Sequence, residues 1–172
     1  RLVQFDSDLK EVHGFKPLME CHVDDYKDAL PCGGMTTLFD ATHNAVQSVR
    51  RYGKDLTDHG LLTNGIVFII TDGADNASTM TGSGVQDAIK GLRLSEELES
   101  LTTILVGVGV GDGDTGTYLA DFSVQVGFDQ YIELEKADAR TLAALADFVS
   151  RHIALQSRVL GTGQGAALSL RF

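Results

Sequence analysis

The chain has 172 residues, 43% apolar and 22% charged, with a formal net charge of −10. That length and balance fit one folded domain with a real core and exclude a disordered segment. The acidity argues against non-specific nucleic-acid binding, no apolar run approaches the roughly 20 residues of a membrane span, and no signal peptide is visible. We therefore expect a cytoplasmic protein with neither nucleic acid nor membrane as partner. Cys21 and Cys32 make neither a disulfide framework nor a zinc site and read as reduced thiols.

The first residue, Arg1, is not a Met and already lies in a strand-like run, so the pattern leads us to expect native residues ahead of it. Arg1 to Phe5 and about Glu11 to Pro17 predict two short strands around an Asp6-Ser7-Asp8 turn. A Gly-rich loop from Cys32 to Thr37 leads into a helix with Leu38, Ala41, Ala45, Val46, Val49 and Tyr52 on one face and Gly53 as its stop. Ile66-Val67-Phe68-Ile69-Ile70 shows no polar alternation. It predicts a strand buried on both faces, as in a parallel sheet, and it ends abruptly in Thr71-Asp72-Gly73. Residues 73–84 read as a loop and about 85–100 as a helix. Thr103 to Val108 predicts another buried strand, followed by a Gly/Asp-rich loop and a short helical segment around Tyr118, Leu119 and Phe122. Gln130 to Leu134 reads as a strand, and Asp138 is placed to cap a last helix bearing Leu142, Leu145, Phe148, Val149 and Ile153. The alternation predicts an α/β fold, Rossmann-like and doubly wound, with a mainly parallel sheet and an antiparallel hairpin at one edge. It occupies residues 1–160 as a single domain, and residues 161–172 form a tail whose Leu168-Ser169-Leu170-Arg171-Phe172 end suits an edge strand or a tether.

Asp72 follows the carboxyl end of a buried strand, where open α/β sheets keep their ligands. Thr36 lies in the loop ahead of the first helix, at the same end of the presumed sheet. A hydroxyl and a carboxylate brought together there form an oxygen-only site suited to a hard cation such as Mg²⁺, completed by water. The same residues are equally explained by Thr36 capping its helix and Asp72 opening a turn with Gly73.

Gly33-Gly34-Met35-Thr36-Thr37-Leu38-Phe39-Asp40-Ala41, followed after a helix and loop by the run from Ile66 to Gly73, resembles the von Willebrand factor A (vWA) family. Val106-Gly107-Val108-Gly109 is similar to that family's fifth strand and its Gly-rich exit, and the resemblance runs from residue 1 to about residue 156. The family's metal-ion-dependent adhesion site (MIDAS) combines an Asp-x-Ser-x-Ser loop, a Thr in a Gly-Gly-x-Thr loop and an Asp after the fourth strand. The second part maps onto Thr36 and the third onto Asp72. No Asp-x-Ser-x-Ser occurs in this chain, and Asp6-Ser7-Asp8 takes the place of a solvated hairpin turn. The resemblance implies that the family's first strand and serine loop precede Arg1, so that the site is incomplete as the chain stands. It further implies a binding module and not an enzyme. Mg²⁺, or another divalent cation such as Ca²⁺ or Mn²⁺, would be held by Thr36 and Asp72 and completed by a carboxylate of a protein partner. Gly33, Gly34 and Gly73 would let the backbone approach the ion.

Other patterns carry less. Gly111-Asp112-Gly113-Asp114-Thr115-Gly116 fits Gly-x-Gly-x-x-Gly, but it follows a late strand and carries acidic side chains that repel phosphate. It reads as a loop, with Asp112 and Asp114 as a rim for a cation-dependent surface. His13, His22, His43, His59 and His152 show no ligand spacing, and His43 and His152 read as surface or packing residues on helices. No nucleophile elbow is present, Asn76-Ala77-Ser78 is a glycosylation sequon without meaning in the cytoplasm, and Asp75, near the site loop, reads as a solvated charge, with outer-shell support of a metal as the lesser alternative. Two alternatives stand beside the binding module: a Mg²⁺-dependent nucleotide or phosphoester hydrolase using Asp72, and a metal-free interaction domain of the same fold.

Overall fold

The structure, a computed structural model, describes residues 1–27, 33–111 and 113–160. Cys32, Asp112 and the tail 161–172, with the strand or tether read there, lie outside those residues. Two short strands, β1 (Leu2–Phe5) and β2 (Leu9–His13), pair antiparallel across the 6–8 turn. β2 ends earlier than the sequence predicted, because Gly14 and Pro17 break the ladder, and two single-turn 3₁₀ helices follow.

Helix α1 (Leu38–Asp58) runs through the predicted stop. Gly53 is buried inside it, and a Cβ there would stand 2.5 Å from Leu98 Cδ2 and 2.9 Å from the Glu97 carbonyl. The glycine is a point of close approach for the segment ahead of the next strand, not a terminator.

Three strands form the parallel sheet: β3 (Asn64–Thr71), β4 (Ser100–Val108) and β5 (Gln130–Leu134), in that spatial order. The register runs from Asn64 opposite Ser100 to Thr71 opposite Gly107, and from Ile104 opposite Gln130 to Val108 opposite Leu134. Helices α2 (Gly82–Arg93), α3 (Asp114–Val126) and α4 (Ala139–Val159) connect and follow them. α2 starts earlier than predicted because Thr81 Oγ1 accepts the Gly84 N–H at 3.2 Å, which makes Thr81 the N-cap. Asp138 caps α4 as expected, accepting the Thr141 N–H at 2.8 Å, and that bond holds its carboxyl below the usual range.

The parallel sheet separates two cores. Leu38, Val46, Val85, Ile89, Leu119 and Phe122 of α1, α2 and α3 pack on one face, against Val67, Ile69 and Leu105. Leu145 and Phe148 of α4 pack on the other, against Ile104, Val106, Ile132 and Leu134. Full burial of each such side chain is worth about 1.5–3 kcal/mol. The chain is therefore mixed α/β, a parallel three-stranded sheet flanked by helices. No helix among the described residues is long and apolar enough to cross a membrane.

Three expectations are corrected here. β3 is not buried on both faces: Val67 and Ile69 are buried, Ile66 and Phe68 half-buried, and Ile70 exposed. Among the described residues β3 pairs with β4 alone. β4 has a neighbour on each side and carries the two-sided burial, from Thr102 through Gly107. The hairpin does not extend the parallel sheet; it forms a separate two-stranded sheet tied to α1 by Arg1 Nη2 to Asn44 Oδ1 (3.0 Å) and by Phe15 stacked on Tyr52. On α4 the buried line is Leu145, Phe148, His152 and Gln156, while Leu142 and Ile153 are exposed.

Candidate functional site

The loop ahead of α1 is held from below by the hairpin turn. Met35 N–H donates to Ser7 Oγ at 3.2 Å, and Thr37 donates from N–H and Oγ1 to the Asp6 carbonyl at 3.0 and 2.9 Å. The turn was expected to be only solvated; it does stiffen itself, with Asp8 N–H on Asp6 Oδ1 at 3.1 Å, but its other acceptors support the Thr36 loop. Thr37 is the N-cap residue, and its hydroxyl is committed to Asp6, so Thr36 is not the helix cap.

At the end of β3, the turn is made by Thr71 and not by Asp72. Thr71 Oγ1 accepts the Gly73 N–H at 3.2 Å and donates to the Gly73 carbonyl at 3.0 Å. Asp72 is exposed, and among the described residues its carboxylate has no hydrogen bond or ion pair. A Cβ on Gly73 would lie 2.9 Å from Thr36 Oγ1, so the two loops touch there. The half-buried Thr36 hydroxyl thus sits against the residue next to Asp72, and any side chain at position 73 would press on it. The two predicted site residues are brought to one rim.

The following loop clasps α1, a role the sequence reading did not assign. Phe39 N–H donates to Asp75 Oδ1 at 3.1 Å and to Ser78 Oγ at 3.0 Å, and Asp40 N–H donates to Ser78 Oγ at 3.1 Å. Ser78 Oγ donates in turn to Asp75 Oδ1. These are the free donors of the first helical turn, capped by residues some forty positions further along the chain. Asp40 reciprocates, accepting the N–H groups of Thr79 at 3.0 Å and Met80 at 2.7 Å. Asn76 completes the clasp by accepting the Thr36 N–H at Oδ1 (2.7 Å) while its own N–H donates to the Thr36 carbonyl at 3.0 Å. Asp75 is therefore half-buried and structural, not a solvated charge. Its negative charge adds to burial in pushing the Tyr118 hydroxyl pKa up. The available signal was Thr37-x-x-Asp40, which imitates a local capping box, beside a loop rich in Asn, Asp and Ser.

The uncommitted oxygens at this rim are a hydroxyl and a carboxylate, the donor set of a hard cation. Among the described residues no three His, Cys, Asp or Glu side chains cluster as metal ligands, so Thr36 and Asp72 alone would leave an ion's coordination incomplete. Two open clefts lie elsewhere. One of about 390 Å³ borders Phe15 and Tyr52, and one of about 600 Å³ borders Lys54 and Glu97. Neither cleft borders Thr36 or Asp72.

Other singled-out residues stand apart from it. Asp114 is exposed in the first turn of α3, and Gly116, the last glycine of the predicted motif, is buried in that helix. Cys21 is a free, half-buried thiol. His152 is a packing residue at 0% exposure. No protein-family model matches the chain, and no curated protein matches it in sequence.

Proposed function

We propose that the protein is a cytoplasmic binding module of the vWA kind, with a doubly wound, Rossmann-like fold, which captures a carboxylate of a partner protein through a divalent cation. Thr36 supplies a hydroxyl oxygen and Asp72 a carboxylate, directly or through water, and both, as hard oxygens, suit Mg²⁺ or another divalent cation such as Ca²⁺ or Mn²⁺. The cation lessens the repulsion between an acidic domain and an acidic ligand. No covalent chemistry is involved.

The observation that carries this reading is the contact between Thr36 Oγ1 and the place a Gly73 Cβ would occupy, 2.9 Å apart. It joins the Gly-Gly-Met-Thr loop to the Thr-Asp-Gly loop, the pair of segments on which the family resemblance rests. The committed bonds of Asp40, Asp75, Asn76 and Ser78 support it further by leaving Thr36 and Asp72 as the free oxygens.

The test is capture of the chain on beads carrying peptides with a single exposed Asp or Glu, in Mg²⁺ and again in chelator. Retention in Mg²⁺ that chelator and Asp72→Ala both abolish is expected. Retention indifferent to chelator would favour the metal-free module, and Mg²⁺-dependent phosphoester turnover would favour the hydrolase.

A further inference from the structure

We infer that Asn76 is the positioning residue of this cation site, holding Thr36 so that its hydroxyl stays against Gly73, the residue next to Asp72. The inference rests on the reading of Thr36 and Asp72 as ligands. Asn76 meets Thr36 with two antiparallel bonds across 40 residues of sequence: side-chain Oδ1 to the Thr36 N–H at 2.7 Å, and its own N–H to the Thr36 carbonyl at 3.0 Å. Both peptide groups flanking the Thr36 Cα are thereby fixed, which leaves the side chain little freedom except its rotamer. A ligand oxygen on an untethered Gly-rich loop would have to be ordered by the ion at the ion's expense, because binding must offset that entropy.

Asn76 is itself held in place. Asp75 on one side and Ser78 on the other are bonded to the first turn of α1. The loop that carries Asp72 therefore also ties the backbone of the other ligand, so the two chain segments are held together before any ion arrives. A short carboxamide suits the task, since it offers a neutral acceptor to the Thr36 N–H and places no extra charge beside Asp72. Groups acting through a ligand in this way typically change metal affinity by about 10- to 100-fold when removed.

The experiment compares the whole chain with its Asn76→Ala and Asn76→Asp variants. One readout is Mn²⁺ binding by titration calorimetry with the metal alone. The other is amide hydrogen exchange by NMR in chelator. Asn76→Ala is expected to weaken Mn²⁺ binding about tenfold and to speed exchange of the Thr36 amide. The β4 amides of Ile104, Leu105 and Val106 should remain slow. Asn76→Asp keeps an acceptor oxygen and should restore slow exchange at Thr36. Unchanged Mn²⁺ affinity in Asn76→Ala overturns the positioning role and leaves the cation site standing. Absence of saturable Mn²⁺ binding by the unsubstituted chain overturns the cation site itself. Faster exchange throughout β4 in Asn76→Ala would assign Asn76 to folding and also overturn the proposal.

Discussion

At the rim above β3, Asp40, Asp75, Asn76 and Ser78 turn their oxygens onto backbone N–H groups. At the seam between α4 and the sheet, the imidazole of His152 is 0% exposed, and neither ring nitrogen meets a partner among the described residues. It lies beside Phe148, with ring centroids 5.2 Å apart, and edge-on to Phe68 at 6.4 Å. The strands beneath, β3 and β4, contain no charged residue, and Glu133 of β5 bonds with Tyr131 on the α3 side of the sheet. The ion pair of Arg151 with Asp147 on α4 is exposed. The rim thus uses polar groups to order backbone, whereas the seam around His152 is held mainly by apolar contact and carries an unpaired polar ring as a cost. Position of the free oxygens follows from the first; sensitivity to pH follows from the second.

The largest effect should come from breaking the seam. Phe148→Ala removes a fully buried ring and should cost about 3–5 kcal/mol in urea unfolding. Replacing the unpaired imidazole should do the reverse. His152→Leu removes buried atoms without partners and should raise stability by about 1–3 kcal/mol. Burial lowers the His152 pKa below its ordinary value, so the folded state binds fewer protons than the unfolded chain. Its contribution is complete above the unfolded value of about 6.5 and is lost as pH falls through the lowered folded one. Unfolding titrations between neutral and acidic pH should show that decline in the parent chain, and a smaller decline in His152→Leu.

At the rim the changes in stability should be smaller and more local. Ser78→Ala deprives Phe39 and Asp40 of a shared acceptor and should cost about 0.5–2 kcal/mol, the range for loss of a helix cap. Gly73→Ala should change global stability least, by about 1 kcal/mol or less, because the added methyl meets a side-chain hydroxyl on an exposed loop. It should nevertheless weaken cation binding, since it displaces Thr36 Oγ1. A Gly73→Ala chain that binds Mn²⁺ as well as the parent would separate the 73 position from the site.

The same contrast explains which features were legible. β3 and β4 announce themselves as uninterrupted apolar runs, and Asp138 as a cap, because burial and local hydrogen bonding write directly into neighbouring residues. Thr36 and Asp72 could be placed at one end of the sheet because a loop before a helix and a loop after a parallel strand share that end. Gly53 was misread because a glycine needed for contact with Leu98 looks, in sequence, like a stop. The buried side of α4 was misjudged because His152 and Gln156 occupy it in place of Leu142 and Ile153. Gln156 Nε2 finds Thr102 Oγ1 at 2.8 Å, a long-range bond that no hydrophobic pattern encodes. Asp75 and Ser78 escaped for the same reason: their partners lie in a helix dozens of residues earlier.

Titration of Mn²⁺ into the parent chain and into Thr36→Val and Asp72→Asn variants addresses the cation site most directly. Both substitutions remove a donor oxygen or its charge with little change in volume, at positions that make no other side-chain bond among the described residues. We expect one saturable Mn²⁺ site in the parent that chelator reverses and that either variant weakens at least about tenfold. Identical isotherms for the three chains, or no saturable site in the parent, would contradict it.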